Sequence, residues 1–349
     1  MPSQSHTTHD VDPAGAVYVR AYAKVNLALS VSPPQPPKGY HLISSLFVGI
    51  DLFDDVRLVP ATAQTGSLAV RWAADAPRPS LVDWPMDKDL AYLAMRAAVD
   101  DGLLNGPLDI ELVKRIPTGG GLGGGSADAA AVLRAVFRQQ AWHSAAVTEH
   151  KIDLRNALLA IAMKLGSDIA YFCDFDADGD PAPISAHTSD ESALTAPPRA
   201  AVVGGYGESI ARLSMKAATD RPTPGLVLLF PSVGCLTGAV YGAFDAMAQP
   251  GLRADAVERV ASGLVSGHLA DEELFNDLAE PAMAVAPSLR ALRAEASEAC
   301  GRRVHITGSG STMFIVVAEG DQQAEAVAES LRDVCQHHHA GVVVSRLVW

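Results

Sequence analysis

The sequence predicts an α+β fold built in two successive parts. The chain has 349 residues, more than the usual size of one domain. Hydrophobic residues make up 48% of it, enough for a sizeable core. Strand-like and helical segments alternate along both halves, and the alternation starts again after an acidic, proline-rich stretch at residues 174–199. We therefore expect two α+β halves of two layers each, with residues 174–199 as a surface insertion near their boundary.

The first half shows strand-like alternation in four segments and a helical period in three. The strand-like segments are residues 17–31, broken around Ala23 and Lys24, and residues 42–50, 55–60 and 108–116. A proline-rich loop at 32–40 separates the first two. The helical segments are residues 87–100, which open on an aspartate start signal, 126–139, which are rich in alanine, and 152–165.

The second half contains a buried strand, several helices and a closing strand. The apolar run GLVLLF at residues 225–230 is typical of a buried strand. Helical periods follow at residues 237–247, 254–264, 281–298 and 322–334. Strand-like segments at 304–306, 313–317 and 342–349 complete the pattern, the first two joined by a glycine-rich turn.

Composition excludes several classes of partner. The net charge is −13, and an acidic surface repels nucleic acids and anionic membranes. No segment reaches the roughly 18 consecutive apolar residues of a membrane helix. The polar residues 1–15 lack the layout of a signal peptide and are expected to form a disordered tail. We expect a cytoplasmic protein that binds neither membrane nor nucleic acid.

Cysteine and histidine spacing predicts no metal site. The four cysteines are scattered, which fits a reducing compartment; they are Cys173, Cys235, Cys300 and Cys335. The run His337-His338-His339 invites a metal interpretation, but adjacent histidines are expected to diverge. An exposed turn before the last strand is the favoured interpretation of this run.

The most informative segment is RIPTGGGLGGGSAD at residues 115–128, with six glycines in seven positions. Glycine loses more backbone entropy on folding than any other residue, so such a run needs a reason. A glycine loop that opens directly into a helix forms an anion site, because the first-turn amides are unpaired and the helix dipole is positive there.

This loop differs from the common nucleotide-binding loops. A Walker loop ends in Gly-Lys-Ser/Thr, whereas Gly125-Ser126 is followed by alanine and aspartate. The dinucleotide fingerprint GxGxxG is formally present, but no clear second parallel strand follows the helix. A flexible linker is the remaining alternative, and the strand and helix that flank the loop argue against it.

Five segments together resemble the GHMP kinase superfamily and, within it, the kinases that act on 4-diphosphocytidyl-2-C-methyl-D-erythritol. They are AYAKVNLALSV at 21–31, GYH at 39–41, IPTGGGLGGGSADAA at 116–130, LGSDIAYF at 165–172 and TGSGSTMF at 307–314. Weaker similarities are GYGE at 205–208, FPSVGCLTGAVY at 230–241 and NDL at 276–278. The glycine loop alone indicates the superfamily; AKVNL with GYH indicates the cytidyl substrate.

The resemblance implies a two-domain GHMP kinase architecture with the active site in the cleft between the domains. Residues 16–173 would form the ATP-binding N-terminal domain and residues 200–349 a ferredoxin-like C-terminal domain. The implied activity is transfer of phosphate from ATP, with Mg²⁺, to the 2-hydroxyl of the cytidyl substrate, giving the 2-phosphate and ADP for isoprenoid precursor synthesis by the non-mevalonate route. Homoserine or mevalonate kinase activity and a catalytically silent ligand-binding relative are the alternatives. Monomer and homodimer both stay open.

The resemblance also implies a set of site residues. ATP phosphates would lie on the glycine loop: Pro117, Thr118, Gly119, Gly120, Gly121, Leu122, Gly123, Gly124, Gly125 and Ser126. Asp128 would take the proton of the acceptor hydroxyl, and Lys24 would stabilise the developing charge and keep the Asp128 carboxylate ionised. Without the resemblance, Lys24 is equally well a strand-edge lysine and Asp128 a partner of the helix dipole.

The acceptor site is expected to combine aromatic, polar and glycine residues. Tyr40 would stack on cytosine and His41 would bind its edge, with Phe172 as a second aromatic residue. Asn26 would contact the erythritol end, and Asp168 would either bind the acceptor or cap a helix. The second glycine turn would line the diphosphate with backbone amides; its residues are Gly308, Ser309 and Gly310. The adenine contacts are left open, because Asp89 stands where the family often has asparagine.

Overall fold

The structure is a computed structural model that describes residues 16–37, 39–143, 148–177, 193–215, 223–318 and 320–349. The predicted tail at 1–15 and the centre of the predicted insertion, residues 178–192, lie outside these ranges. The described chain is a mixture of helices and a large, mostly antiparallel sheet, which confirms the predicted α+β class.

Two long antiparallel strands run through the molecule, β1 (Val17–Gln35) and β2 (Tyr40–Pro60). The two predicted segments at 42–50 and 55–60 are therefore one strand. The predicted break in the first strand is confirmed as a register shift, since Tyr22 pairs with Phe53 and Lys24 already pairs with Gly49. Such bulges re-aim side chains, and this one lies beside Lys24.

The remaining strands of the first half extend this pair. They are β3 (Ser67–Trp72), β4 (Leu108–Lys114), β5 (Ala193–Leu194), β6 (Ala201–Gly205) and β7 (Ser209–Arg212). Strand β4 pairs with the end of β2 and with β3, and the β6–β7 hairpin pairs with the start of β2. Only β4 was predicted, because the other strands are short or lack a strong apolar alternation.

Four helices cover one face of this part of the sheet. They are α1 (Leu90–Asp100), α2 (Gly124–His143), α3 (Thr148–Leu165) and α4 (Ile169–Phe172). The first of these helices begins three residues later than predicted, and its cap is Asp89, two residues after the predicted start at Asp87. Asp89 accepts hydrogen bonds from the amides of Ala91 and Tyr92. The helices share an apolar core with the inward face of β1, β2 and β4.

The second half is a ferredoxin-like unit. Its strands are the four predicted segments, β8 (Gly225–Phe230), β10 (His305–Ile306), β11 (Met313–Val317) and β12 (Gly341–Val348), and they lie in the order β12-β8-β11-β10. A short strand β9 (Phe275–Asn276) pairs with β1 instead. Every residue of β8 is buried, with one face in each of two apolar clusters. Through β12, which pairs with β2, this unit joins the long strands of the first half.

Six helices accompany these strands. They are α5 (Thr237–Asp245), α6 (Ala254–Ser266), α7 (Ala279–Val285), α8 (Ser288–Cys300), α9 (Asp321–Ser330) and α10 (Arg332–His337). The single helix predicted at 281–298 is two, because Pro287 disfavours helical geometry at the residue before it. The helix predicted at 322–334 is also two, and the second reaches His337, where we predicted a turn.

The two described ends of the predicted insertion are packed into the first half. Asp174 is buried and accepts hydrogen bonds from the guanidinium group of Arg199 and from its amide. Leu194, in β5, is buried beside β1. The β6–β7 hairpin, which follows the predicted boundary at residue 200, pairs with β2. The domain limits at residues 173 and 200 stay predictions.

Candidate active site

A deep cleft of about 1140 Å³ lies between the two halves. One wall is the complete glycine loop, residues 117–126, followed by Asp128. Lys24, Asn26 and Asp168 lie on the wall next to it, and Thr237, Tyr241, Gly308 and Ser309 come from the second half. This volume is at the top of the range for a single small ligand, so the cleft has room for two substrates.

Glycine is required in the loop by backbone conformation. Gly119, Gly121 and Gly123 all have positive φ, at 70°, 75° and 76°, a region that side chains with a Cβ rarely adopt. Helix α2 starts directly after the last of them, and its hydrogen bonding begins at the Ala127 amide, which donates to the Gly123 carbonyl at 2.8 Å. The preceding first-turn amides are left for an anion, as the sequence predicts.

Gly123 also has no room for a side chain. A Cβ there would lie 2.8 Å from Cζ of Phe172, whose ring is buried beneath the loop. At Gly119 a Cβ would meet nothing within 4 Å. Gly119 and Gly123 share a left-handed backbone conformation, but only Gly123 lacks room for a Cβ atom.

Gly123→Ala is expected to destabilise the protein more than Gly119→Ala. The left-handed φ costs about 1–2 kcal/mol in both variants, and crowding against Phe172 adds about 1–3 kcal/mol in the first. Urea unfolding without ligands measures both losses of unfolding free energy. Equal losses would contradict this account, since they would show that the ring yields to the new methyl group.

The two glycine turns are packed backbone to backbone. The Thr312 amide donates to the Gly120 carbonyl at 3.2 Å, and a Cβ on Gly121 would lie 2.4 Å from the Thr307 carbonyl oxygen. Gly308 and Ser309 reach the cleft wall as predicted. Gly310 is not among the cleft-lining residues, because it turns toward Ala282 behind the wall.

Lys24 is buried at the centre of the cleft floor. Its ammonium donates to Asn26 Oδ1 at 2.7 Å and to the Gly121 carbonyl at 3.1 Å. Asp168 Oδ2 lies 3.5 Å away. Burial lowers the pKa of Lys24, and the charge of Asp168 opposes that shift. The lysine therefore joins the glycine loop to one carboxylate that faces the cleft.

Asn26 acts through Lys24. Its amide nitrogen donates to Ser45 Oγ at 2.9 Å, while its oxygen accepts from Lys24 and from the Thr307 hydroxyl. Protein groups therefore occupy both ends of its side-chain amide, and its oxygen holds the Lys24 ammonium in place. The predicted direct contact with the erythritol end stays a prediction.

Asp168 is a carboxylate that lies beside Lys24 in the cleft. It stands directly before α4, its side chain is 30% exposed, and it lines the cleft beside Lys24. Burial and the charge of Asp168 raise the pKa of Tyr241, on the opposite wall, to about 12. Asp168 and this aromatic residue of the second half line the same cleft.

The predicted pair of Lys24 and Asp128 is wrong. Asp128 lies against Lys114, whose ammonium is 2.5 Å from Asp128 Oδ2 and 2.5 Å from Asp54 Oδ2. All three side chains are almost completely buried. Asp54 also accepts from the amides of Arg115 and Ile116, which fixes the start of the glycine loop. This cluster supports the loop from behind.

Asp128 is also unsuited to accept a proton near neutral pH. Burial raises its pKa to about 8, and the opposing charge of Lys114 does not offset it because Asp54 competes for the same ammonium. The two carboxylates raise the pKa of Lys114, which stays charged. One ammonium between two buried carboxyl groups is electrically neutral when one carboxyl keeps its proton. The upward shift of the Asp128 pKa favours the protonated form of this carboxyl group, whose Oδ1 has no hydrogen-bond partner among the described residues.

The unfolding free energy of the wild type, relative to Asp128→Asn, is expected to fall as the pH rises from about 4 to about 8. The folded state holds this proton more tightly, since the pKa is about 3.9 in the unfolded chain. The stabilising contribution is therefore complete below the unfolded pKa and is lost as the pH passes the folded one. Urea unfolding of both proteins at several pH values measures the trend. A relative stability that rises with pH would mean that folded Asp128 is ionised.

The far end of the cleft is aromatic. Tyr40 is 61% exposed, and its ring lies 6.3 Å from that of Tyr206 in an edge arrangement. His41 packs 5.0 Å from Tyr241, with Nδ1 at 2.8 Å from the Ser32 carbonyl oxygen. The predicted role of Phe172 in this group is wrong, because its ring is buried under Gly123.

Comparison with known proteins shows which family this chain belongs to. Family models named GHMP kinases N terminal domain and GHMP kinases C terminal match residues 89–173 and 257–337. A 4-diphosphocytidyl-2-C-methyl-D-erythritol kinase of Cereibacter sphaeroides (strain ATCC 17025 / ATH 2.4.3) is 32% identical over 314 residues, which cover 89% of this chain and 93% of the relative. The chain belongs to the 4-diphosphocytidyl-2-C-methyl-D-erythritol kinase family of GHMP kinases. It is a small-molecule kinase.

Other relatives agree with this family. The 4-diphosphocytidyl-2-C-methyl-D-erythritol kinase of Nocardia farcinica (strain IFM 10152) is 31% identical over 319 residues, 90% of this chain and 89% of its own. A crystal structure of 4-(cytidine 5'-diphospho)-2C-methyl-D-erythritol kinase is 28% identical with a TM-score of 0.61, covering 94% of this chain and 99% of the other. Homoserine kinase from Cytophaga hutchinsonii also has a TM-score of 0.61, but at 16% identity, over 100% and 97% of the chains, it shows the shared fold alone.

Several cleft residues of this GHMP kinase were not predicted. Trp84 and Lys88 line the cleft before α1, Tyr206 lies in the β6–β7 turn, and Lys114 and Tyr241 hold positions described above. Lys114 had a signal in the sequence: it occupies an inward position of an alternating strand, where a lysine needs buried partners. Tyr241 ends the segment at residues 230–241, which resembles the family but for which the sequence predicted no role.

Proposed function

We propose that this protein transfers the γ-phosphoryl group of ATP to the 2-hydroxyl of 4-diphosphocytidyl-2-C-methyl-D-erythritol, yielding the 2-phosphate and ADP for the non-mevalonate synthesis of isoprenoid precursors. The observation that carries the proposal is the pair of Lys24 and Asp168, 3.5 Å apart. It lies between a phosphate-binding glycine loop and an aromatic pocket.

The glycine loop and the start of α2 hold the ATP phosphates in this proposal. Positive-φ glycines bring backbone amides to the cleft surface, and the positive end of the helix dipole favours the anion. Trp84 and Lys88 line the same end of the cleft and are proposed to contact the adenosine. Phosphoryl transfer depends mainly on positioning and charge stabilisation, which these elements supply.

Asp168 is proposed to accept the proton of the 2-hydroxyl as its oxygen bonds to the γ-phosphorus and the bond from that phosphorus to ADP breaks. A carboxylate in the cleft, paired with an ammonium, is suited to that role. The Lys24 ammonium lies between this carboxylate and the glycine loop, so it stabilises charge on the oxygens that react. Asp168 therefore takes the role that the sequence assigns to Asp128.

Mg²⁺ is proposed to accompany ATP, where it supplies positive charge to the phosphate oxygens. The donor set fits a hard cation held mostly by phosphates and water. The Ser126 hydroxyl lines the cleft at the start of α2 and has no hydrogen-bond partner among the described residues. Ser126 is thus the residue available to add a protein ligand.

The acceptor is proposed to bind with cytosine at the aromatic end. Tyr40 and Tyr241 offer ring faces, and His41 supports Tyr241 from the side. The hydroxyl groups of Thr237 and Ser309 lie 3.1 Å apart at the start of α5, where unpaired amides suit a diphosphate. With cytosine at the aromatic end and the diphosphate at the start of α5, the sugar alcohol is placed beside Asp168.

Tyr241→Ala is expected to raise the KM for the cytidyl substrate while leaving the KM for ATP unchanged. Aromatic stacking on a base contributes about 1–3 kcal/mol, which is roughly a 5- to 150-fold effect. Tyr241→Phe, which keeps the ring, is the matched control and should stay near wild type. A similar rise in both KM values would instead indicate a general disturbance of the cleft.

An ADP-release assay with Mg²⁺ and ATP tests the proposed function. The acceptors are 4-diphosphocytidyl-2-C-methyl-D-erythritol, methylerythritol 4-phosphate, mevalonate and homoserine. Turnover restricted to the cytidyl compound supports the proposal. Turnover with mevalonate or homoserine alone would select another GHMP kinase activity, and binding without turnover would indicate a silent relative.

The setting of the enzyme is part of the proposal. We infer a cytoplasmic enzyme with small-molecule partners, acting as a monomer or homodimer. The four cysteines are free, which supports a reducing compartment. No helix in the described ranges is long and apolar enough to cross a membrane.

A further inference from the structure

Three potential metal ligands converge on the outer face of the second half. Glu295 comes from α8, His337 is the last residue of α10, and His338 follows it. One carboxylate oxygen and one ring nitrogen from each histidine all lie within 4.8 Å of one another. None of the three residues lines the active-site cleft.

The end of α10 explains why two adjacent histidines converge. His338 is the C-cap, and His339 turns the chain with a left-handed φ of 52°. The Ala340 amide then bonds back to the Cys335 carbonyl at 2.8 Å, which fixes the helix end. The two imidazole rings are 4.9 Å apart and nearly perpendicular. The expectation that adjacent histidines diverge is thus wrong for this pair.

His338 carries an unsatisfied ligand atom. Its Nε2 is buried and has no hydrogen-bond partner among the described residues. Glu295 Oε2 is only 3.0 Å away, so the two atoms are close but are not aligned for a hydrogen bond. A buried nitrogen without a partner is unfavourable, and a cation between it and the carboxylate would satisfy both.

We propose that Glu295, His337 and His338 bind a zinc ion that links α8 to α10. Two imidazoles and one carboxylate suit zinc, whereas magnesium prefers oxygen ligands alone. Tetrahedral zinc with bonds of about 2.0–2.2 Å needs its ligand atoms roughly 3.3–3.5 Å apart. The present spacings run from 3.0 Å, between His338 Nε2 and Glu295 Oε2, to no more than 4.8 Å, a range that includes this value, and water would complete the coordination.

The proposed ion has a structural role. Helices α8 and α10 contact each other, and both contribute to the apolar core of the second half. A metal bridge between them adds a link at their exposed side. Because zinc would bind the folded state alone, it raises the thermal midpoint of unfolding, and the rise grows with the logarithm of the free zinc concentration above the dissociation constant.

Calorimetric titration of the full-length, tag-free, chelator-treated protein with zinc chloride tests the site. The expected result is one equivalent of zinc and a higher thermal midpoint. His337→Ala and Glu295→Gln should each weaken binding at least about tenfold. His339→Asn is the matched control: asparagine tolerates the left-handed φ, and the residue lies outside the cluster, so binding should persist.

Cobalt absorption and kinase turnover are two further measurements that test the site. Cobalt bound in the same site should give the strong visible absorption of tetrahedral coordination, and His337→Ala should remove it. Turnover with Mg²⁺ and ATP should be unchanged in all three variants, because the cluster lies away from the cleft. Equal zinc binding by wild type and His337→Ala, or equal losses in His337→Ala and His339→Asn, would overturn the proposal.

Discussion

Asp168→Asn is expected to lower kcat by about 10²–10⁴-fold while the KM values for both substrates change little. Asparagine keeps the shape of the side chain and accepts a hydrogen bond from Lys24, but it does not take a proton. The loss therefore falls on the chemical step. Steady-state kinetics with both substrates varied measures it.

Two other carboxyl groups of the cleft serve as comparisons for Asp168. Asp245→Asn removes a charge from the opposite wall and should leave kcat nearly unchanged. Asp128→Asn should also keep most of the turnover, because its carboxyl group is buried against Lys114. The reverse pattern, with Asp128→Asn inactive and Asp168→Asn active, would restore Asp128 as the proton acceptor.

Lys114→Met is expected to lower the free energy of unfolding by about 3–5 kcal/mol. Methionine has a similar length, so the change removes the cation and leaves Asp54 and Asp128 buried without a compensating positive charge. An uncompensated buried charge is among the largest single-residue effects on stability. Urea unfolding without ligands gives the value.

Lys88→Met is the matched control for this loss. Lys88 also lines the cleft but is exposed, so its replacement should change stability by no more than about 0.5 kcal/mol. A Lys114→Met protein as stable as this control would show that the burial of Asp54 and Asp128 does not depend on the Lys114 ammonium, and the charged cluster would then lose its structural role.

Local patterns in the sequence predicted the elements well. The glycine loop, the helix after it and the buried strand β8 each have a pattern set by backbone conformation or by burial of neighbouring residues. The ferredoxin-like class of the second half followed from family resemblance. The β6–β7 hairpin was not predicted, because its pairing with β2 depends on contacts between distant segments.

The partner of Lys24 shows where sequence reasoning stopped. Asp128 follows the glycine loop directly, so proximity in the chain favoured it. Asp168 reaches the lysine only because the chain returns after α3 and begins α4 there. Phe172 was misplaced for a related reason: its motif was identified, but the side of α4 that faces the core was not.

The packing of the two glycine turns limits how this enzyme can be recombined. A Cβ on Gly121 would meet the Thr307 carbonyl oxygen at 2.4 Å, and a Cβ on Gly308 would meet the Gly121 carbonyl oxygen at 2.9 Å. Neither turn can alter its path unless the other does. A chimera that joins the first half of one GHMP kinase to the second half of another must therefore carry a matched pair of turns.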